Sequence, residues 1–338
     1  GKYIYETKEK IKPEGIRRSR LVREGDFLLS NSMSFGRPYI MKTTGCIHDG
    51  WLVLRDRSGK CDQDFLYHFL GSDAAYRQFD AKASGSTVRN LNIGLVKSVE
   101  VPLPSLPEQK RIVAILDQAF AAIDKAVANT ENNLANAREL FESYLNRVFA
   151  ERGEGWVRRT LQEVCVLQRG MDLPKRLRAS GKYPLVSSSG IIDSHSEGPV
   201  KGPGVVTGRS GSIGNVFFVN SDYWPLNTVL YVKEFHGNDP KFVHWLLSHF
   251  DLKRFATGAG VPTLNRNLVH AEEVFVPESK TEQKDIAGIL DKLEGQVHRL
   301  ESLCERKLCK LGRLKQSLLQ KAFSGELTES EAEGMVCV

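Results

Sequence analysis

Two stretches decide the fold: Glu108-Gln109-Lys110-Arg111-Ile112-Val113-Ala114-Ile115-Leu116-Asp117 and Glu282-Gln283-Lys284-Asp285-Ile286-Ala287-Gly288-Ile289-Leu290-Asp291. Both open a segment that ends on a phenylalanine, at Phe149 and Phe323. The offset is 174 at either end (282 − 108 and 323 − 149), so the copies align without insertion or deletion. Further identical pairs are Leu134/Leu308, Leu140/Leu314, Ser143/Ser317 and Leu145/Leu319. Sparse apolar identities at a fixed offset describe a rigid element of constrained length. Two copies with a whole domain between them imply approximate internal two-fold symmetry.

The period within each copy is helical. In the first, apolar or small residues fall at 112, 116, 119, 123, 126, 137, 141, 144 and 148. In the second, Ile286, Leu290, Leu293, Val297, Leu300, Leu308, Leu311, Leu318 and Ala322 hold the same phase, and Cys304 falls in the seam. Alternating steps of four and three make a heptad seam. About 40 residues of helix span roughly 60 Å, and the two seams are expected to pack antiparallel. Pro107, in a first turn, and Thr281, as an N-cap, are expected start signals.

The repeat extends upstream. Gly85–Asn92 matches Gly258–Asn265, each a loop ending in Leu-Asn. Val99-Glu100-Val101-Pro102-Leu103-Pro104 matches Glu272-Glu273-Val274-Phe275-Val276-Pro277, and each is expected to be a short strand with a proline stop. Residues 1–104 and 156–278 are rich in Gly, Ser and β-formers. Strand–turn–strand is expected at Gly204–Gly208 with Asn215–Val219, and at Gly25–Leu29 with Tyr39–Met41. The intervening turns align, Asn31–Gly36 against Arg209–Gly214. From Trp156 to about Asp193 the second domain has no full counterpart, so the first is expected to lack its N-terminal portion in this chain.

The bulk numbers fit this organisation. The 338 residues suffice for two domains, and the net charge of +6 permits a polyanionic partner. Six cysteines, with no CxxC and no metal-ligand spacing, are expected to be reduced thiols. No apolar run approaches the roughly 20 residues of a membrane span, and no signal-peptide pattern opens the chain.

The order of β-rich domain, Pro-Leu-Pro-Ser-Leu-Pro-Glu-Gln-Lys, long helix, second β-rich domain, Glu-Gln-Lys and a helix ending Gln320-Lys321-Ala322-Phe323-Ser324-Gly325-Glu326-Leu327 resembles the DNA specificity subunit of type I restriction–modification systems. The resemblance covers nearly the whole chain. It implies an α+β molecule: two β-rich target-recognition domains separated by two long antiparallel coiled-coil helices, with a pseudo-two-fold internal repeat. The expected parts are a first recognition domain at 1–104, spacer helices at 105–150 and 279–326, a second recognition domain at 151–278 and a tail at 327–338. The implied partners are double-stranded DNA, two methyltransferase subunits and motor-nuclease subunits. Methylation from S-adenosylmethionine falls to the partners, and this chain is expected to be non-catalytic, without cofactor or metal, and cytoplasmic.

Base and phosphate contacts need Arg, Lys, Asn, Gln, Ser or Thr. Residues 8–23 hold seven Lys/Arg against two Glu, which puts forward Lys8, Lys10, Lys12, Arg17, Arg18 and Arg20. Residues 169–182 hold five against Asp172, namely Arg169, Lys175, Arg176, Arg178 and Lys182. The aligned turns add Asn31, Ser32 and Arg37 in the first domain, and Arg209 and Ser210 in the second. Ser187 and Ser188, before Gly190, complete the candidates, because small residues let a DNA backbone approach closely. A solvated loop or plain turn chemistry is the competing reading for each. Gly208–Gly214 lacks the Gly-Lys-Ser/Thr of a phosphate loop, and no Asn-Pro-Pro-Tyr methyltransferase motif or nuclease cluster occurs. His48-Asp49 reads as a turn. Two further readings stay open: a larger restriction or methylation enzyme reduced to its specificity region, and a coiled-coil scaffold without a DNA role.

Overall fold

The computed structural model describes residues 1–7, 9–31, 36–83, 91–258, 260 and 262–328. The two repeated segments form helices of equal length, Leu106–Ala150 and Lys280–Ser324, 45 residues each. All the seam positions read from the sequence are buried or half-buried, with Ile112, Leu116, Leu290 and Cys304 among the most enclosed. Pro107 sits in the first turn of the first helix. Thr281 is not the cap of the second. That helix begins at Lys280, so Thr281 lies inside its first turn, and the hydroxyl of Ser279 accepts from the Glu282 N–H at 3.4 Å.

The chain forms two compact units, Gly1–Asn132 with the stretch from Cys304 onward, and Asn133–Leu303. Each unit therefore holds one β-rich domain, the start of one long helix and the end of the other. In the first unit, Ile112 and Leu116 share a core with Leu319 and Ala322, and Lys315 meets Asp124 at 3.3 Å. In the second, Leu145 and Phe149 share a core with Ala287 and Leu290, and Arg138 meets Glu301 at 2.7 Å. Residue numbers that rise on one helix fall on the other, so the seams pack antiparallel in both units.

Each β-rich domain is built on a three-stranded antiparallel sheet with equivalent strands. In the first domain Pro38–Met41 pairs with Phe27–Ser30, which pairs with Trp51–Leu54. In the second Val216–Val219 pairs with Gly204–Gly208, which pairs with Val229–Glu234. The second domain adds Val166–Arg169 at the edge of Val229–Glu234. It also adds a hairpin of Tyr183–Ser187 with Gly190–His195. In the cores, Phe27, Leu29 and Ile40 of the first sheet pack with Phe69 and Phe79, and Leu167, Val205, Leu230 and Val232 of the second pack with Phe242, Val243 and Leu246.

One expected strand is absent. Glu273–Pro277 pairs with Trp156–Thr160 in the second domain, but the matching Val99–Pro104 adopts no regular structure. An isolated extended segment gains nothing without a ladder to join, and among the described residues no strand pairs with Val99–Pro104.

Candidate nucleic-acid interface

The aligned turns carry the same hydrogen bonds in both domains. The Leu91 N–H donates to the Asn31 carbonyl at 2.8 Å, and the Leu264 N–H donates to the Arg209 carbonyl at 2.8 Å. The Asn31 N–H donates to Gly50 O, and the Arg209 N–H to Thr228 O. Gly36 and Gly214 both hold positive φ, 78° and 85°, a conformation that costs a side chain dearly. Even the side chains find the same anchor. Asn31 Nδ2 donates to Asp49 O at 2.7 Å, and Arg209 Nε donates to Asn227 O at 3.0 Å. The Leu of each Leu-Asn loop is buried, and the Asn caps a short helix, Ile93–Lys97 or Arg266–His270. Asn31 and Arg209 thus occupy one scaffold position in two copies. Asn31 Oδ1 is buried without a partner among the described residues.

Around Arg209 the second domain gathers several of the expected residues. Arg178, Ser187 and Ser188 line a cavity of about 390 Å³ with Asp172, Asn227 and Thr228. Asp172 ties the rim together: its Oδ1 accepts from the Asn227 amide, and its Oδ2 pairs with Arg169 at 3.6 Å. Thr228 Oγ1 accepts from the Ser188 N–H. Partial burial, followed by the charge of Arg169, lowers the Arg209 pKa, with Asp172 opposing. Arg169, Arg178 and Arg209 face the single carboxylate of Asp172 here. Ser187 is buried, and its hydroxyl bonds Ser189 and Gly190 within the hairpin turn, so it shapes the rim. Ser210 bridges to Thr263 through its backbone. Lys175 and Arg176 stand exposed in the single turn Lys175–Leu177. Lys182 lies at the other end of the strand from Ser187, over the Tyr183 ring and near Asp222, outside this cluster.

In the first domain, Lys10, Arg18 and Arg20 line a cavity of about 710 Å³ with His48 and Asp49. Lys12 and Arg17 flank them on the exposed turn at Pro13–Ile16. The carbonyl of Asp49 is the anchor of Asn31, so the aligned turn and the basic segment meet here. His48 Nδ1 accepts from the Gly50 N–H in a plain turn. Arg37 lies over the Tyr39 ring and lines a separate cavity of about 220 Å³ with Tyr67 and Lys315. Lys8 and Ser32 lie outside the described residues. Among the described residues no cluster of His, Cys, Asp and Glu could hold a metal ion.

The structure also assigns roles to identities that the sequence showed only as identities. Gln109 and Gln283 are 0% and 1% exposed. Gln109 Oε1 accepts from the Asp62 N–H, and its Nε2 donates to Lys60 O and Pro104 O, at 2.7, 2.9 and 2.8 Å. Gln283 Oε1 accepts from the Asp239 N–H, and its Nε2 donates to Asn238 Oδ1 and Pro277 O, at 2.8, 2.7 and 2.8 Å. Asp62 and Asp239 are themselves N-caps, of Gln63–Leu70 and Pro240–His249. Two turns on, Asp117 meets His68 Nε2 at 2.8 Å, and Asp291 accepts from Trp245 Nε1 at 3.0 Å. Each long helix is thus latched to the preceding domain by one buried amide and one carboxylate. The phenylalanine ending the opposite helix packs on the same domain helix: Phe323 on Phe65 and Phe69, Phe149 on Phe242. A polar identity recurring beside an apolar seam was the available signal.

A duplicated β-rich domain with a basic rim, latched to a long antiparallel helix pair, defines the class. The model of the type I restriction modification DNA specificity domain matches residues 5–134 and 153–303. The chain belongs to that family. It is 23% identical over 330 residues to the type I restriction enzyme EcoprrI specificity subunit of Escherichia coli, covering 90% of this chain and 82% of that one. It is 21% identical over 350 residues to the MjaIX specificity subunit of Methanocaldococcus jannaschii, covering 92% and 80%. A chain solved in a study of complex assembly and conformational transition of the type I R-M system superposes with a TM-score of 0.79 at 20% identity, covering 91% and 84%. The HsdS subunit from Thermoanaerobacter tengcongensis superposes with a TM-score of 0.62 at 20% identity, covering 92% and 83%.

Proposed function

We propose that this chain is the sequence-reading subunit of a type I restriction–modification complex. Residues 1–104 and 151–278 each read one half of a split DNA site. Partner subunits transfer the methyl group and cut, and the chain itself performs no chemistry. The observation that carries this reading is the shared turn. One hydrogen-bonded scaffold holds Asn31 in one domain and Arg209 in the other, and the residue at this position differs between the two domains, as expected of readers of unlike half-sites. Phosphate contacts fall to Lys10, Lys12, Arg17, Arg18 and Arg20 in the first domain, and to Arg169, Lys175, Arg176 and Arg178 in the second. The duplicated helix latches support two similar docking surfaces, hence two methyltransferase subunits and the motor-nuclease subunits that join them. Such a complex would act on cytoplasmic DNA. Among the described residues no helix is long and apolar enough to cross a membrane.

Methylome sequencing of a host with and without the gene tests the proposal. A bipartite methylated motif should vanish with the gene. An unchanged methylome in a host that expresses the chain and its partner subunits would remove the proposal.

A further inference from the structure

Resting on the function proposed above, we infer that Arg209 reads a guanine in the half-site of the second domain. Its backbone is pinned on both sides, the N–H by Thr228 O and the carbonyl by the Leu264 N–H. Its Nε is spent on Asn227 O at 3.0 Å. Among the described residues the two Nη groups have no protein partner. Asp172 makes no bond to them: its Oδ1 accepts from the Asn227 amide and its Oδ2 forms an ion pair with Arg169 at 3.6 Å. A half-buried guanidinium is thus fixed at one end and presents two parallel donors at the other.

Guanine offers the matching pair of acceptors, N7 and O6, on its major-groove edge, and an arginine fork is the side chain that meets them. A phosphate can accept the same fork, but exposed Lys175 and Arg176 beside the cavity already offer charge to the backbone. The other copy separates the two cases. At the same scaffold position the first domain carries Asn31, whose oxygen is buried and whose amide is spent on Asp49 O. A general backbone clamp has no reason to differ between the domains, whereas a base-reading position differs whenever the half-sites do. The glycines make the position stiff. A Cβ on Gly208 would lie 1.9 Å from Ser212 O, and Gly211 and Gly214 hold positive φ.

The test is the methylated motif of a host carrying the full chain with its partner subunits, as wild type, Arg209→Gln, Arg209→Ala and, as control, Lys175→Ala. We expect one guanine in one half of the motif to become degenerate in both Arg209 variants. Discrimination there should fall from roughly 10- to 100-fold to near unity. The other half and the spacer should stay unchanged, and Lys175→Ala should lower methylation evenly at all sites. If Arg209→Ala fails to accumulate, Arg209→Gln decides, since it keeps much of the stem but offers no guanine fork. A wild-type motif in Arg209→Gln overturns the assignment. So does folded Arg209→Gln protein that loses methylation evenly at every site. A wild-type host without any motif dependent on this chain sinks the proposed function instead.

Discussion

Replacing Gln283 with Ala should loosen the second unit far more than a lone surface glutamine would. The side chain is 1% exposed and makes three hydrogen bonds, to the Asp239 N–H, Asn238 Oδ1 and Pro277 O. Its loss orphans a backbone N–H and a carbonyl. Asn238 keeps part of its network, because its Nδ2 still donates to Val164 O and Phe235 O. Each orphaned buried group costs about 1–3 kcal/mol, so the two together should cost about 2–6 kcal/mol. For a unit of this size each kcal/mol moves the melting temperature by about 2–4 °C, which gives a fall of roughly 4–24 °C. Differential scanning calorimetry of the full chain measures it. Gln283→Met keeps the volume and should fall nearly as far, because the bonds and not the bulk do the holding. Gln109→Ala should strike the first unit in the same way. The double variant should be additive, since the two amides share no partner. A Gln283→Ala chain destabilised by less than 1 kcal/mol, or a Met variant as stable as wild type, would refute the latch.

Three further outcomes are expected. Burial pushes His244 down to about 4, so between pH 6.5 and 4 the unfolded chain binds a proton that the folded chain refuses. The second unit therefore keeps this contribution above pH 6.5 and loses about 3 kcal/mol of it as pH falls to 4. Urea unfolding at pH 7, 5.5 and 4.5 should show a flatter profile for His244→Phe, and parallel profiles would contradict the burial argument. Changing Lys175, Arg176 and Arg178 together to Ala should lower the salt slope of DNA binding by roughly one unit per lost phosphate contact; an unchanged slope assigns them to a solvated loop. Gly208→Ala must open the turn, because its new methyl meets Ser212 O at 1.9 Å, so DNA affinity and the melting temperature should both drop. A variant that binds and melts like wild type would show the turn to be pliable.

The sequence alone determined the elements that repeat and the elements that have a period. A seam at 3.5 residues fixes which face of a 45-residue helix is buried, and an exact 174-residue offset fixes the pairing of the copies, because both are properties of local spacing. Turn glycines such as Gly36 and Gly214 are legible for the same reason: their conformation is decided by the residue itself. What the tertiary structure decided depends on partners distant in the chain. Val99–Pro104 has the composition of a strand, but a strand exists only where another edge is offered, and its copy has one in Trp156–Thr160. Gln109 and Gln283 recur in the sequence as identities, and their burial exists only because Asp62 and Asp239 fold over them. The basic residues follow the same rule. Charge counts named 169–182 as one segment, but only folding brings Arg169 and Arg178 to the rim that Arg209 shares and leaves Lys182 beside Asp222. Composition is additive along a chain, whereas a recognition site is a coincidence in space, and that coincidence is written in contacts between residues tens of positions apart.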